Sequence, residues 1–275
     1  MKNQDKNTVE GFGDEWSRFD QSDLPEDEQQ LLFDEYFSVF PWKDISKESV
    51  GFDLGCGTGR WAKSVAPKVK KLICIDPSNA IDIAKKNLSN FDNCEFDSAT
   101  VDDISIDNNS MDFGYSLGVL HHVPDTEMGI KQCVEKLKKG APLLLYLYYR
   151  FDNRPFWFRF IWSISDLLRK IISKMPYGLR YIFSQIIAVV VYFPLARTAL
   201  YLEKLNLNVS NFPLSSYKNL SFYTMRTDAL DRFGTRLEQR FTRDEIKNMM
   251  ESAGLENIKF SNSKPFWVAV GYKIS

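Results

Sequence analysis

Apolar positions along the 275-residue chain recur at two spacings, and the changes of spacing divide it into four segments. Residues 1–25 are polar, show no sustained period and read as a loop-like arm. From Glu26 to Phe40, Leu31, Leu32, Tyr36 and Phe40 form a helical stripe behind an acidic first turn, which suits the positive end of a helix dipole. Between about 46 and 150, short β-rich runs alternate with helical ones. Strands are expected at 50–54, 71–75, 94–96, 111–117 and 143–149. Helices are expected through Trp61 and Val65, over 79–88 and over 126–137. This alternation implies an α/β fold with a doubly wound, mostly parallel sheet covered by helices on both faces.

The chain end returns to the same theme. A helix is expected over 242–252, with Thr242 as N-cap and Gly254 just past its end. Runs at 255–260 and 267–273, joined through Pro265, read as an antiparallel edge pair that brings the sheet to seven strands. The segments are thus an N-terminal arm and helix (1–45), a core (46–150), a helical insertion (151–240) and a closing helix with edge strands (241–275).

The insertion differs in pattern and charge. Trp157, Phe160, Ile161, Ile164, Leu168 and Ile171 recur at helical spacing over about 156–174. Arg154 to Lys204 holds eight basic residues against two acidic ones, a local +6 in a chain of net −1. Three readings stay open for it: a lid over an apolar substrate, a membrane-surface helix, or a contact between copies of the chain. The lid reading expects its apolar face to be buried at the carboxyl ends of the strands. The longest apolar stretch, 181–196, is interrupted by Ser184 and Gln185, and Pro194 is expected to break it. No run of about 18 consecutive apolar residues occurs, so no spanning helix is expected. The N-terminus lacks the apolar core of a signal peptide. The expected location is cytoplasmic, with peripheral contact at the inner membrane face under the second reading.

At 44% apolar and 26% charged, the composition is that of a folded globular chain. The near-zero net charge gives no field for nucleic acid. Four separated cysteines and two histidines suggest neither a disulfide framework nor a metal knuckle.

One loop carries the chemistry. Residues 52–60, FDLGCGTGR, follow an expected strand and open a helix. Gly55, Gly57 and Gly59 allow a sharp turn and close approach of a ligand to main-chain N–H groups. The spacing is G-x-G-x-G, not the G-x-G-x-x-G of dinucleotide loops. Asp53, at the strand end, suits a cationic or amine-bearing ligand. Asp76 follows the next strand and suits the two hydroxyls of a ribose, as it would in a dinucleotide domain too. Thr100, Val101, Asp102 and Asp103 precede the fourth strand and can offer an acceptor and a donor to an adenine edge.

The runs DLGCGTGRWA, IDPS, SMDFGYSLGVLHHVPD and LKKGAPLLLYLYY resemble, in order, the motifs of class I S-adenosylmethionine (SAM)-dependent methyltransferases. They are most similar to the methyltransferase type 11 group that includes ubiquinone- and menaquinone-type enzymes. The resemblance covers about 48–150 and, more weakly, 240–260. It implies a Rossmann-like fold, SAM as cofactor with S-adenosylhomocysteine as product, and no metal. It places Gly55, Cys56, Gly57 and Gly59 under the methionine part, with Asp53 at its amino group and Asp76 at the ribose. Pro77 and Ser78 lie against the adenine, whose edge falls to Thr100, Val101 or Asp102; the family usually has Asp-Ala where this chain has Thr100-Val101. Ser116, Leu117 and Gly118 lie near the transferable methyl.

Cys56 reads as a small loop filler, since no cation flanks it. His121 and His122 follow the fourth strand. One is a candidate general base, His121 by preference, and the other a packing residue. Tyr146 and Tyr148 read as sheet packing, and Trp16 and Phe19 either close over the cofactor or pack the arm. The expected activity is methyl transfer to an oxygen or nitrogen of a small, partly apolar acceptor. The rivals are a lipid or quinone methylase at a membrane face and a non-catalytic SAM-fold subunit. A nucleic-acid methylase is disfavoured by the absence of an N/D-P-P-Y/F run after the fourth strand.

Overall fold

Phenylalanines and glycines face one another across the central strand pair. In the computed structural model, which describes residues 3–274, β1 (Val50–Leu54) runs parallel to β4 (Phe113–Leu117), with Gly51 opposite Phe113 and Phe52 opposite Gly114. A Cβ on Gly51 would fall 2.3 Å from the Phe113 ring, and one on Gly114 would fall 2.2 Å from the Phe52 ring. Each ring therefore lies across the partner strand, where only glycine leaves room. Met1, Lys2 and Ser275, at the ends of the arm and the edge pair, lie outside the described residues.

The sheet also contains β2 (Lys71–Ile75), β3 (Cys94–Asp97), β5 (Pro142–Tyr146), β6 (Leu255–Phe260) and β7 (Val268–Lys273). Its order is β3-β2-β1-β4-β5-β7-β6, parallel from β3 to β5, with β7 antiparallel to both β5 and β6. This is the doubly wound α/β fold that the alternating pattern implies. The order reverses at β1, and ligands bind at the carboxyl ends of strands beside such a switch point.

The helices are α1 (Lys6–Arg18), α2 (Glu26–Tyr36), α3 (Ala62–Val65), α4 (Ala80–Asn87), α5 (Thr126–Lys136), α6 (Phe156–Ile172), α7 (Tyr177–Ile187), α8 (Phe193–Lys204), α9 (Phe222–Gly234) and α10 (Arg243–Ser252). Thr242 caps α10 through a reciprocal capping box with Glu245, and Gly254 follows at φ +92. β5 ends at Tyr146, three residues before the expected limit.

Two compact units emerge: residues up to Asp20, Gln30–Arg150 and Leu237 onward form one; Gln21–Gln29 and Phe151–Arg236 form the other. Leu237 to Arg240, read from sequence as the end of the insertion, belong to the sheet unit. There the Gln239 N–H bonds the His121 carbonyl at 3.0 Å.

Residues 1–25 are not loop-like throughout. Asp5 caps α1 by accepting from the Thr8 N–H, and Arg18 pairs with Asp14 one turn back. Gly11 and Gly13 hid this helix from a propensity reading. Gly13 has a packing cause, since a Cβ there would lie 2.2 Å from the Asn79 amide oxygen.

In the second unit, Ile172, Ala188, Tyr192, Ala196, Met225 and Phe233 form a core between α6, α7, α8 and α9. Pro194 does not break the apolar stretch. Tyr177–Lys204 is one 28-residue helix, long and apolar enough by length and composition to cross a membrane, where none was expected. A π turn at Ala188–Tyr192 joins α7 to α8. It closes on the Phe193 N–H bonding the Ala188 carbonyl, just before the residue that has no N–H to give.

Candidate active site

The β1–β2 half of the site is built from carboxylates and main-chain N–H groups. The chain leaves β1 at Leu54 and turns back, with the Gly55 and Cys56 N–H groups bonding the Ile75 carbonyl at 2.7 and 3.0 Å. Asp76 then holds the loop. It accepts from Gly57 N at 2.9 Å, Ser78 N at 2.9 Å and Ser78 Oγ at 2.6 Å. Burial raises its pKa, against the downward pull of those three bonds. Asp53 is 1% exposed. Burial pushes its pKa well up, the Tyr115 hydroxyl opposes this, and the Asp76 carboxylate adds to the rise.

The glycines divide into two kinds. Gly55 and Gly59 serve packing, since a Cβ would meet Val119 at 2.3 Å and Leu88 at 2.8 Å. Gly57, at φ +52, has only the indole of Trp16 above it, whose Nε1 is 3.4 Å from a built Cβ. Gly118, at φ +80, has nothing within 4 Å of that point. Gly118 is thus where a ligand can reach the backbone, and the Trp16 indole covers Gly57.

Cys56 is buried in the loop. The neighbouring Cys74 thiol lowers its pKa, but burial and the Asp76 and Asp53 carboxyls outweigh it and push it up to about 11. The thiol is protonated and is no nucleophile at neutral pH. Pro77 is half-buried beside Asp76. Of the three residues before β4, Thr100 keeps a buried hydroxyl without a partner. Val101 is buried in the core, and the exposed Asp102 accepts from the Asn3 N–H.

The β4–β5 half is made of rings. Ser116 is fully buried, and its hydroxyl donates to the Leu54 carbonyl at 3.0 Å, tying β4 to β1. Leu117 is buried and Gly118 N bonds the Tyr146 carbonyl at 3.0 Å. A tight turn over Leu120–His122 then carries both histidines inward. His121 is fully buried, stacked on Tyr148 at 3.8 Å between ring centroids. Neither of its ring nitrogens has a hydrogen-bond partner. Burial, then the neighbouring His122 and Arg240, holds its pKa well below 6.5. It is a neutral imidazole. His122 Nδ1 lies 2.7 Å from the Leu237 carbonyl, and its ring meets the edge of Phe12. Arg240 lies over the far partner of the stack, 4.9 Å from the Tyr148 ring.

Residues 52–145 match the family model of the methyltransferase domain. The match spans less than half of the chain. Solved structures agree at the level of fold. A candidate methyltransferase from Bacillus halodurans superposes with a TM-score of 0.52 at 12% identity, over 88% of this chain and 99% of that one. Phosphoethanolamine N-methyltransferase 2 of Haemonchus contortus, solved with phosphomonomethylethanolamine and S-adenosylhomocysteine, gives 0.51 at 13% identity over 94% of this chain and 44% of its own. A candidate methyltransferase in complex with a methyltransferase activator of Haloferax volcanii gives 0.50 at 12%, over 96% and 98%. No curated protein matches the chain in sequence.

Within the matched segment, Asp53, Gly57, Asp76, Ser116, Gly118 and His121 gather at neighbouring carboxyl ends of β1, β2 and β4. Sequence reasoning missed Phe12, Tyr36, Leu237 and Arg240. Tyr36 packs against Trp61 at 4.7 Å and Tyr146 at 5.0 Å. Arg240 arrives from just before α10. No spacing links these residues to the motif, because each reaches it only through the folded chain.

Proposed function

We propose that this domain is a SAM-dependent methyltransferase that methylates an oxygen or nitrogen of a small, partly apolar molecule. The observation that carries the reading is the pair of positive-φ glycines not packed against the core, Gly57 under the Trp16 indole beside Asp76 and Gly118 in open space near His121. Between them the chain offers buried carboxylates on one side and an unpartnered neutral imidazole on the other. Bound there, SAM supplies an electrophilic sulfonium methyl. The chain's own residues have three tasks.

The first is binding. Asp76 has lone pairs beyond its three internal bonds and takes the ribose hydroxyls, while Asp53 takes the ammonium of the methionine part. A cation beside Asp53 also relieves the burial that raises its pKa. The unpartnered Thr100 hydroxyl would be available to the adenine edge, and Pro77 and Ser78 would lie along its ring. The second task is excluding water, for which Trp16 over Gly57 supplies a cover. The third is orienting the acceptor and taking its proton. A hydroxyl or ammonium acceptor must lose a proton for its lone pair to attack, and His121, neutral and with both ring nitrogens unpartnered, is our candidate to take it. Methyl transfer needs only that alignment beyond the cofactor's own reactivity.

Titration calorimetry with S-adenosylhomocysteine tests the reading directly. Binding in the micromolar range that weakens in Asp76→Ala supports it. No heat from the wild-type protein with either SAM or S-adenosylhomocysteine overturns it.

A further inference from the structure

The second unit leaves large apolar surfaces uncovered. On α6, Phe160, Ile164, Leu167 and Ile171 are each half or more exposed, and Trp157 and Leu168 nearly so. At 100° per residue they occupy one stripe of about 100°. The opposite side of α6 carries Trp162, Arg169 and Ile172 and packs on α9. Between these two sides runs a third, with Arg159, Lys170 and Lys174 all exposed. Exposed apolar stripe and cationic flank lie side by side, as on a helix that rests in a lipid interface.

The Tyr177–Lys204 helix repeats the arrangement. Ile182, Ile186, Val189, Val190 and Phe193 are exposed along one side. Its first 26 residues, to Leu202, contain no carboxylate. The two cations within them are folded away from that side. Arg180 donates to the Met175 and Gly234 carbonyls, and Arg197 to those of Lys218 and Leu220. Lipid does not surround this helix. Its inner side packs on α9, where Arg226 bonds Gln185 at 2.6 Å and the Tyr181 hydroxyl at 3.0 Å. A helix with one side committed to a charged neighbour lies in a bilayer surface and does not cross it.

Beside the C-terminal end of α6 a pocket of about 260 Å³ is lined by Lys170, Ser173, Lys174 and Arg236. Arg236 is anchored by donating to the Ser173 carbonyl at 3.3 Å, and Lys170 shares Asp166 with Arg169. Three cations around one cavity, next to exposed Ile171, match a phosphate set beside acyl chains. A second copy of the chain fits less well, because it would set the exposed Arg159, Lys170 and Lys174 of one copy near those of the other.

We propose that the outer faces of α6 and the Tyr177–Lys204 helix insert into the acyl boundary of an anionic phospholipid bilayer, with Lys170, Lys174 and Arg236 meeting its phosphates. The protein is thereby held at a lipid surface independently of methyl transfer.

The test is co-sedimentation of the full chain with phosphatidylcholine vesicles, with and without phosphatidylglycerol. Binding to the anionic vesicles, weakened by salt, is expected. Lys170→Gln, Lys174→Gln and Arg236→Gln should each weaken it about fivefold, the effect of one cation at a charged surface. Ile164→Asp should abolish it with circular dichroism unchanged. Brominated lipids should quench wild-type fluorescence more than that of Trp157→Phe. Absence of binding to anionic vesicles overturns the proposal. So does a stable dimer by light scattering that Ile164→Asp dissolves while vesicle binding is absent, or vesicle binding that all three Gln variants keep in full.

Discussion

The two halves of the candidate site solve opposite problems at neighbouring strand ends. On the β1–β2 half, Asp76 is buried and held, ringed by three donors from the loop it organises, while Asp53 is buried without a comparable set of donors. On the β4–β5 half, a polar ring is buried and left unheld, with both His121 nitrogens unpartnered against Tyr148. A buried polar group without a partner costs stability. Asp76 is therefore satisfied within the loop, whereas buried Asp53 carries a cost that a cation bound beside it would offset. The β4–β5 half carries a local cost of the kind tolerated where a group must remain available for a reaction.

The largest effect that separates them is on turnover. His121→Ala should lower kcat by about 10²- to 10⁴-fold, the range for loss of a general base, with affinity for S-adenosylhomocysteine close to wild type. If kcat is unchanged in His121→Ala and falls in His122→Ala, the base has been assigned to the wrong neighbour.

Next is the reciprocal change. Asp76→Ala removes a charged acceptor and leaves the Gly57 N–H unbonded, so affinity for S-adenosylhomocysteine should fall about 10- to 100-fold. Calorimetry reads this, and an affinity equal to wild type would remove Asp76 from the ribose.

The halves should also differ in the sign of their pH dependence. His121 has a folded pKa below its ordinary 6.5, so the native state holds fewer protons and stability is lost as pH falls below 6.5. Asp53 has a folded pKa above its ordinary 3.8, so its contribution is full below 3.8 and is lost as pH rises through the folded value. Melting temperatures against pH should show a shallower acid-side loss in His121→Gln. Asp53→Asn should be more stable than wild type at neutral pH. Parallel curves for all three proteins would contradict both assignments.

The smallest effect expected is at Trp16. Replacing it by alanine uncovers Gly57 without touching a carboxylate, so S-adenosylhomocysteine should bind about three- to tenfold more weakly, in line with loss of one aromatic contact. A larger loss than in Asp76→Ala would move the binding determinant from the loop to α1.

Much of the sheet unit was legible in sequence. β1 and β2 fall where alternation and turn residues put them, and Thr242 caps α10 as expected. Strand and helix periods are local, and short apolar runs that end at an acidic residue or a glycine turn leave little choice. The glycine loop was legible for the same reason, because each of its requirements lies within a few residues. The arm was not. Two glycines suppressed its helical signal, and what compensates for them is an Asp5 cap and packing against Asn79, sixty and more residues away. The long helix through Pro194 was missed because a π turn, invisible in composition, places the proline where no N–H is needed.

The sequence by itself determined the order of strands and helices, the loop with its two acidic strand ends, and the amphipathic and basic character of the insertion. These depend on backbone propensity and on side-chain period, which act over a turn or a strand. Only the tertiary structure decided which histidine stacks on Tyr148, which glycines are open, and which side of α6 stays exposed. Those properties depend on what lies on the other side of a residue. Phe12, Leu237 and Arg240 come from opposite ends of the chain to surround one pair of rings, and burial by distant segments, not residue type, sets how His121 and Asp53 hold their protons.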